Sequence, residues 1–150
     1  MLTILLKITL TICLILGSGR SVKVMAQGGE AVTYVQETAM GLQKGYELRY
    51  VTRKGFGLGG FVQSSNNFSY ESGKDNYPFV GTSIQIPIST CGKIQFCGEL
   101  KTGLVNNRFL IATPELTTRY TLMKHVKLAI SAGIRAQEAA VSAKLILTTL

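Results

Sequence analysis

From residue 45 onward, apolar residues recur at every second position, which is the period of a β-strand. In 45–52, Tyr46, Leu48 and Tyr50 share one face, while Glu47 and Arg49 take the other. The same alternation predicts strands over 56–63, 79–88, 93–104, 115–122, 126–135 and 140–148. Their apolar faces are led by Phe56, Leu58 and Val62, then by Val80, Ile84, Ile86 and Ile88. Further along come Ile94, Phe96, Leu100 and Leu104, then Leu116, Tyr120 and Leu122. Leu128, Ile130 and Ile134, with Val141, Leu145 and Leu147, complete the series. None of these faces carries a charge. Glu47, Arg49, Glu99, Lys101, Arg119, Lys127, Arg135 and Lys144 all fall on the second face, among many Gly and Ser residues. The Ala-rich stretch 127–150 also admits a helix, but Gly133, the β-branched residues and the clean alternation favour strands.

Residues 27–44 are ambiguous. Val32 and Tyr34 suit the start of a strand, whereas Gln36 and Glu37 spoil the alternation, and a short helix fits as well. A first strand over about 30–40 would bring the total to eight, the even number that returns both termini to one side. The connectors are expected to alternate. Short turns fall at 53–55, 89–92 and 124–125, and longer loops at 64–77, 105–114 and 136–138.

Alternation by itself does not say which face meets the solvent. In a soluble barrel the apolar face points inward; in a membrane barrel it points to lipid and the polar face lines the lumen. Three features favour the membrane arrangement. The polar faces are rich in small residues, as a narrow lumen requires. Several apolar faces reach the ~9–11 residues needed to cross a bilayer at a tilt. Tyr50, Phe56, Phe96 and Tyr120 gather near the short turns, as an interfacial girdle would. The expected fold is therefore an all-β, antiparallel, up-and-down transmembrane β-barrel of about eight strands.

The N-terminus adds an address. Residues 1–26 combine Lys7, an apolar stretch from Ile8 to Leu16, and a small-residue cleavage signal at Val24-Met25-Ala26. These are the parts of a cleaved signal peptide, which leaves 27–150 as the barrel domain. A membrane anchor is the alternative, with an apolar core that is short for spanning. Cys13 follows Ile12 rather than a small residue, so a lipoprotein signal is not expected. The whole chain has 150 residues, a mean hydropathy of +0.25, 16% charged residues and a net charge of +8. That composition excludes a disordered chain, and three Cys are too few for a disulfide scaffold. Without Lys7, Arg20 and Lys23 the net charge falls to about +5, too modest to argue for nucleic acid.

Together these features resemble the small eight-stranded outer-membrane barrels of the OmpA/OmpX type, the outer membrane protein beta-barrel domain families of diderm bacteria. The resemblance rests on GYELRYV, FGLGGFVQSS, GTSIQIPI, KIQFCGELKTGLVNN, VKLAISAGIR and the closing AVSAKLILTTL, and covers roughly residues 30–150. It implies location in the cell outer membrane, with outer-membrane lipids and the barrel-assembly machinery as partners. One departure is Leu150, where such barrels usually end in an aromatic residue read by that machinery; Tyr120 is the last aromatic here.

Candidate chemistry follows from the barrel. Its interior should be just filled by side chains, with Glu47, Arg49, Glu99, Lys101, Arg119 and Lys144 as a paired polar core. A salt-bridge cluster is expected to centre on Arg119 and Glu99, with Ser131 level with Arg119 and Lys144 level with Ser131. Only Glu47 and Glu99 are counted as its acids. No catalytic residue is expected: His125, the single histidine, sits in a tight turn without a paired nucleophile. No metal site and no cofactor are expected either, since His125 lacks ligand partners of the right type. With Cys97 opposite about Ile84, Cys91 and Cys97 are too far apart for the ~7 Å Cα separation of a disulfide. The Gly57-Leu58-Gly59-Gly60 run lacks the Lys-Ser/Thr and helix of a phosphate loop and suits close strand packing instead. The long polar loop 64–78, with Phe68, Tyr70 and Tyr77, is the candidate extracellular interaction surface for an unknown ligand. Three functions stay open: a non-enzymatic structural or surface-interaction barrel, a narrow porin-like channel for small solutes, and a secreted soluble barrel binding an apolar ligand.

Overall fold

The computed structural model describes residues 26–38, 41–65, 78–105 and 107–149. They form eight strands: β1 (Ala26–Thr38), β2 (Gly41–Thr52), β3 (Gly57–Ser65), β4 (Phe79–Cys91), β5 (Ile94–Val105), β6 (Phe109–Met123), β7 (Val126–Arg135) and β8 (Glu138–Thr148). Each strand pairs antiparallel with its sequence neighbours, and β1 pairs with β8 to close the barrel. The shortest strand has 9 residues and the longest 15, so each is long enough to cross a tilted ~30 Å hydrocarbon layer. The expected leader lies outside the described residues except for Ala26, which is the first residue of β1.

The alternation is realised as read, with the apolar faces outside. Ile84, Ile86, Leu100, Leu128, Ile130 and Leu145 are all exposed on the barrel exterior. Tyr50, Phe56, Phe96 and Tyr120 also point outward, toward the end that carries the β2–β3, β4–β5 and β6–β7 turns. We call this the turn end; β1 starts there and β8 finishes there. The opposite end carries the long connector 66–78 and is called the loop end.

Two segments depart from the expectation. The ambiguous stretch 27–44 is strand throughout its described residues, and β2 begins at Gly41 rather than residue 45. In β1 two apolar residues turn inward: Val32 and Tyr34 are buried in the lumen on the same face as Glu30 and Gln36, while Val35 faces outward. They pack with Ala129 and Ile146 as a small apolar island inside the barrel. That inversion is why the outward alternation faded there. The second departure is 105–114, which is not a loop. Strand β5 runs to Val105 and β6 starts at Phe109, with Asn107 in the left-handed conformation (φ 54°) that Asn tolerates. Pro114, the residue that suggested a loop, stands in β6 just beyond the first β6–β7 pair, Glu115–Gly133. A proline lacks the ladder N–H and is accepted where a strand flank is unpaired. The 136–138 connector is likewise tight, with Ala136 and Gln137 both at positive φ. The loop end therefore has one long connector among the described elements rather than several.

Candidate functional site: the charged lumen

Inward positions converge on the barrel axis because every second residue of eight tilted strands points there. Glu47 and Arg49 come from β2, Glu99 and Lys101 from β5, Arg119 from β6 and Lys144 from β8, and all six are buried. Two further carboxylates join them, Glu30 from β1 and Glu115 from β6. Lys127 of β7 reaches in from the turn end and stays partly exposed.

Glu99 is the hub. Arg49 Nη1 donates to its Oε1 at 3.1 Å, Arg119 Nη2 approaches the same oxygen at 3.4 Å, and Lys144 Nζ donates to Oε2 at 2.5 Å. Lys144 also reaches Glu115 Oε2 at 2.7 Å, which ties the hub to β6. Glu115 further accepts from Ser131 Oγ at 2.8 Å and Gln36 Nε2 at 3.0 Å. On the turn side, Glu30 accepts from Arg119 Nη1 at 3.2 Å and Lys127 Nζ at 3.0 Å. Glu47 lies 3.0 Å from Arg49 Nε and accepts from Ser83 Oγ. Lys101 Nζ sits 3.7 Å from Glu115 Oε1 and 3.7 Å above the Tyr34 ring, a cation–π contact, and makes no hydrogen bond among the described residues. Each acid thus meets more than one donor, as burial of charge demands.

Toward the loop end the lumen is filled by amides. Tyr34 Oη donates to Gln63 Oε1 at 3.1 Å, and Gln63 Nε2 donates to Gln36 Oε1 at 2.8 Å and to Gln43 Oε1. Arg135 donates to Gln43 and lies 4.5 Å over the Phe79 ring, which meets Phe61 edge-on. Small residues make room for these groups. A Cβ on Gly45 would fall on the Tyr34 ring, 2.6 Å from Cε2, and one on Gly59 would lie 2.7 Å from Arg49 Cβ. The Gly57–Gly60 run is therefore strand whose inward glycines accommodate the Arg49 stem.

Several expectations need correction. Among the described residues the lumen holds four acids rather than two, since Glu30 and Glu115 also point inward. For Glu115 the signal was present, since it shares parity with Thr117 and Arg119. For Glu30 it was hidden by the inverted face of β1. The register across β6–β7 also differs: Arg119 pairs with Ala129 and Ser131 with Thr117, while Lys144 pairs with Ala129. An irregularity at Thr121–Met123 beside the turn contributes one residue of that two-residue offset. Cys97 is opposite Pro87 rather than Ile84, because β4 runs on to Cys91 and the chain turns at 92–93. Cys97 is a buried free thiol and Cys91 an exposed one. His125 is exposed in the β6–β7 turn, with Nδ1 3.1 Å from the Thr148 carbonyl oxygen. Among the described residues no group of three or more His, Cys, Asp or Glu is arranged to hold a metal ion. Phe68, Tyr70 and Tyr77 lie outside the described residues.

No family model and no curated protein matches the chain. Solved structures do match in fold. A de novo designed transmembrane β-barrel superposes with TM-score 0.69 at 9% identity, covering 83% of this chain and all of that one. The N-terminal β-barrel domain of Pseudomonas aeruginosa OprF superposes with TM-score 0.61 at 8% identity, covering 83% of this chain and 100% of that chain. Neisserial surface protein A matches with TM-score 0.53 at 9% identity, over 81% of this chain and 94% of that one. At such identities the likeness is one of fold.

Proposed function

We propose that this protein is a non-enzymatic integral β-barrel of the outer membrane of a diderm bacterium, with a structural or surface-interaction role. The observation that carries the reading is the segregation of the two faces. Large apolar side chains such as Leu48, Leu116 and Ile130 are about two-thirds exposed or more on the exterior, while Arg, Lys and Glu are buried within. In water this arrangement exposes apolar area and desolvates charge, both unfavourable. In lipid the exterior penalty disappears, and the ion pairs of the lumen offset the desolvation of its charges. Residues 1–26 then act as a signal peptide, outer-membrane lipids surround the barrel, the assembly machinery inserts it, and the 64–78 loop offers the surface for contact. Fractionation with a carbonate wash, combined with heat-dependent gel mobility, tests this. Retention in the membrane pellet with a heat-shifted band is expected; release into the wash overturns the reading.

The channel alternative is disfavoured by a lumen packed with ion pairs and amides; planar-bilayer conductance discriminates it. The soluble apolar-ligand binder requires an apolar interior, and this interior is charged.

A further inference from the structure

We propose that the turn end of the barrel is an annular binding surface for anionic phospholipid headgroups. The inference rests on the membrane-barrel reading above and names the lipid class that one end selects.

The argument is one of charge placement. The β2–β3 turn carries Arg53 and Lys54, the β4–β5 turn Lys93, and the β6–β7 turn Lys124; all four are exposed. None of them forms an ion pair with a described carboxylate. The described acids lie elsewhere. Glu30, Glu47, Glu99 and Glu115 are buried in the lumen. Glu37 and Glu138 are exposed at the loop end, where Lys44 and Arg108 balance them. Among the described residues, the exterior of the turn end is thus basic and that of the loop end is mixed.

The geometry says what such a charge distribution fits. The barrel is closed, and the three turns recur every two strands around it. The bases therefore form a ring rather than a patch. A single polyanionic molecule would be held by a patch on one side; a ring matches a shell of many small anions. Directly inward along the strands sit Tyr50, Phe56, Phe96 and Tyr120, all exposed on the outside. Aromatic rings of this kind settle at headgroup depth. The bases then lie level with the lipid phosphates, and their aliphatic stems can follow the apolar wall while the charge reaches the anion. Each such base near an anionic surface contributes an attraction that salt weakens.

The test uses the full mature barrel folded into nanodiscs of phosphatidylcholine containing about 20 mol % phosphatidylglycerol, where basic segments distinguish the two lipids electrostatically. The lipids that remain with the barrel on gentle release are quantified by mass spectrometry. Phosphatidylglycerol should be enriched about threefold or more over its bulk fraction, and less so at high salt. The R53Q/K54Q/K93Q/K124Q variant should lose that enrichment, whereas K44Q/R108Q should keep it. The turn bases make no ion pairs that hold the barrel, and a heat-shifted band in pure phosphatidylcholine verifies that each variant is folded. A folded barrel without enrichment, or enrichment unchanged in the turn variant, overturns the proposal and leaves the membrane reading standing. Absence of any heat-shifted band in every lipid overturns both.

Discussion

The two halves of the lumen solve the same packing problem with different chemistry. Around Glu99 the interior is ionic: Arg49, Arg119 and Lys144 converge on one carboxylate, and Lys144 passes the network on to Glu115. Around Gln63 it is neutral: Tyr34, Gln36 and Gln43 exchange amide and hydroxyl hydrogen bonds. Two contacts join them, Gln36 to Glu115 and the Lys101 ammonium over the Tyr34 ring. The difference is in the consequences of losing a member. A buried ion without its partner retains a full desolvation penalty, and the bases left around a missing Glu99 would also repel one another. Loss of a neutral amide leaves no charge unbalanced: without Gln63, Gln36 keeps Glu115 and Gln43 keeps Arg135, and the Tyr34 hydroxyl loses its acceptor. The ionic half should therefore be brittle and the amide half tolerant.

The largest expected effect is that of Glu99→Ala. It takes one carboxylate from each of Arg49, Arg119 and Lys144, which keep only Glu47, Glu30 and Glu115, and leaves the lumen with unbalanced positive charge; it should destabilise the barrel by about 3–5 kcal/mol, read from urea unfolding in phosphocholine vesicles. The loop change Glu71→Ala should stay within about 0.5 kcal/mol, as surface substitutions do. A loss at Glu99 as small as that at Glu71 would break the contrast. Next comes Gly45→Ala, which places a methyl against the Tyr34 ring and should cost about 1–3 kcal/mol by overpacking. Here Tyr34→Leu in the same background should recover part of the loss, because it removes the ring that the methyl strikes. The smallest effect within the lumen is expected from Gln63→Ala, about 1–2 kcal/mol, since neutral hydrogen bonds contribute about 1 kcal/mol each and no charge is left unbalanced. A Gln63 loss equal to that of Glu99 would show that the amide half is no more tolerant than the ionic one.

The exterior was readable in the sequence because one strong pattern controls it. A strand has a side-chain period of two, which separates a charge-free face from a polar one, and the small residues of the polar face with the aromatics near the short turns place the charge-free face outside. Ile84, Leu100, Leu128 and Ile130 could be placed outside without knowing which strand pairs with which. The short turns and the gathering of Tyr50, Phe56, Phe96 and Tyr120 near one end follow from the same linear pattern.

The lumen was only partly readable, for a physical reason. An inward position accepts whatever its neighbours across the barrel can satisfy, so its residue type carries little local signal. Val32 and Tyr34 look like outward residues, yet they point inward because Ala129, Ile146 and the Lys101 ammonium receive them there. With their face inverted, Glu30 dropped out of the count of acids. Which acid meets which base depends on register, and register is shifted by irregularities at Pro87–Ser89 and Thr121–Met123 that no alternation reports. The sequence by itself determined the strands, the sidedness of most of them and the kinds of charge inside. Only the closed tertiary structure decided the partners. Glu99, Arg119 and Lys144 come from three different strands, and closure around the barrel brings their side chains together.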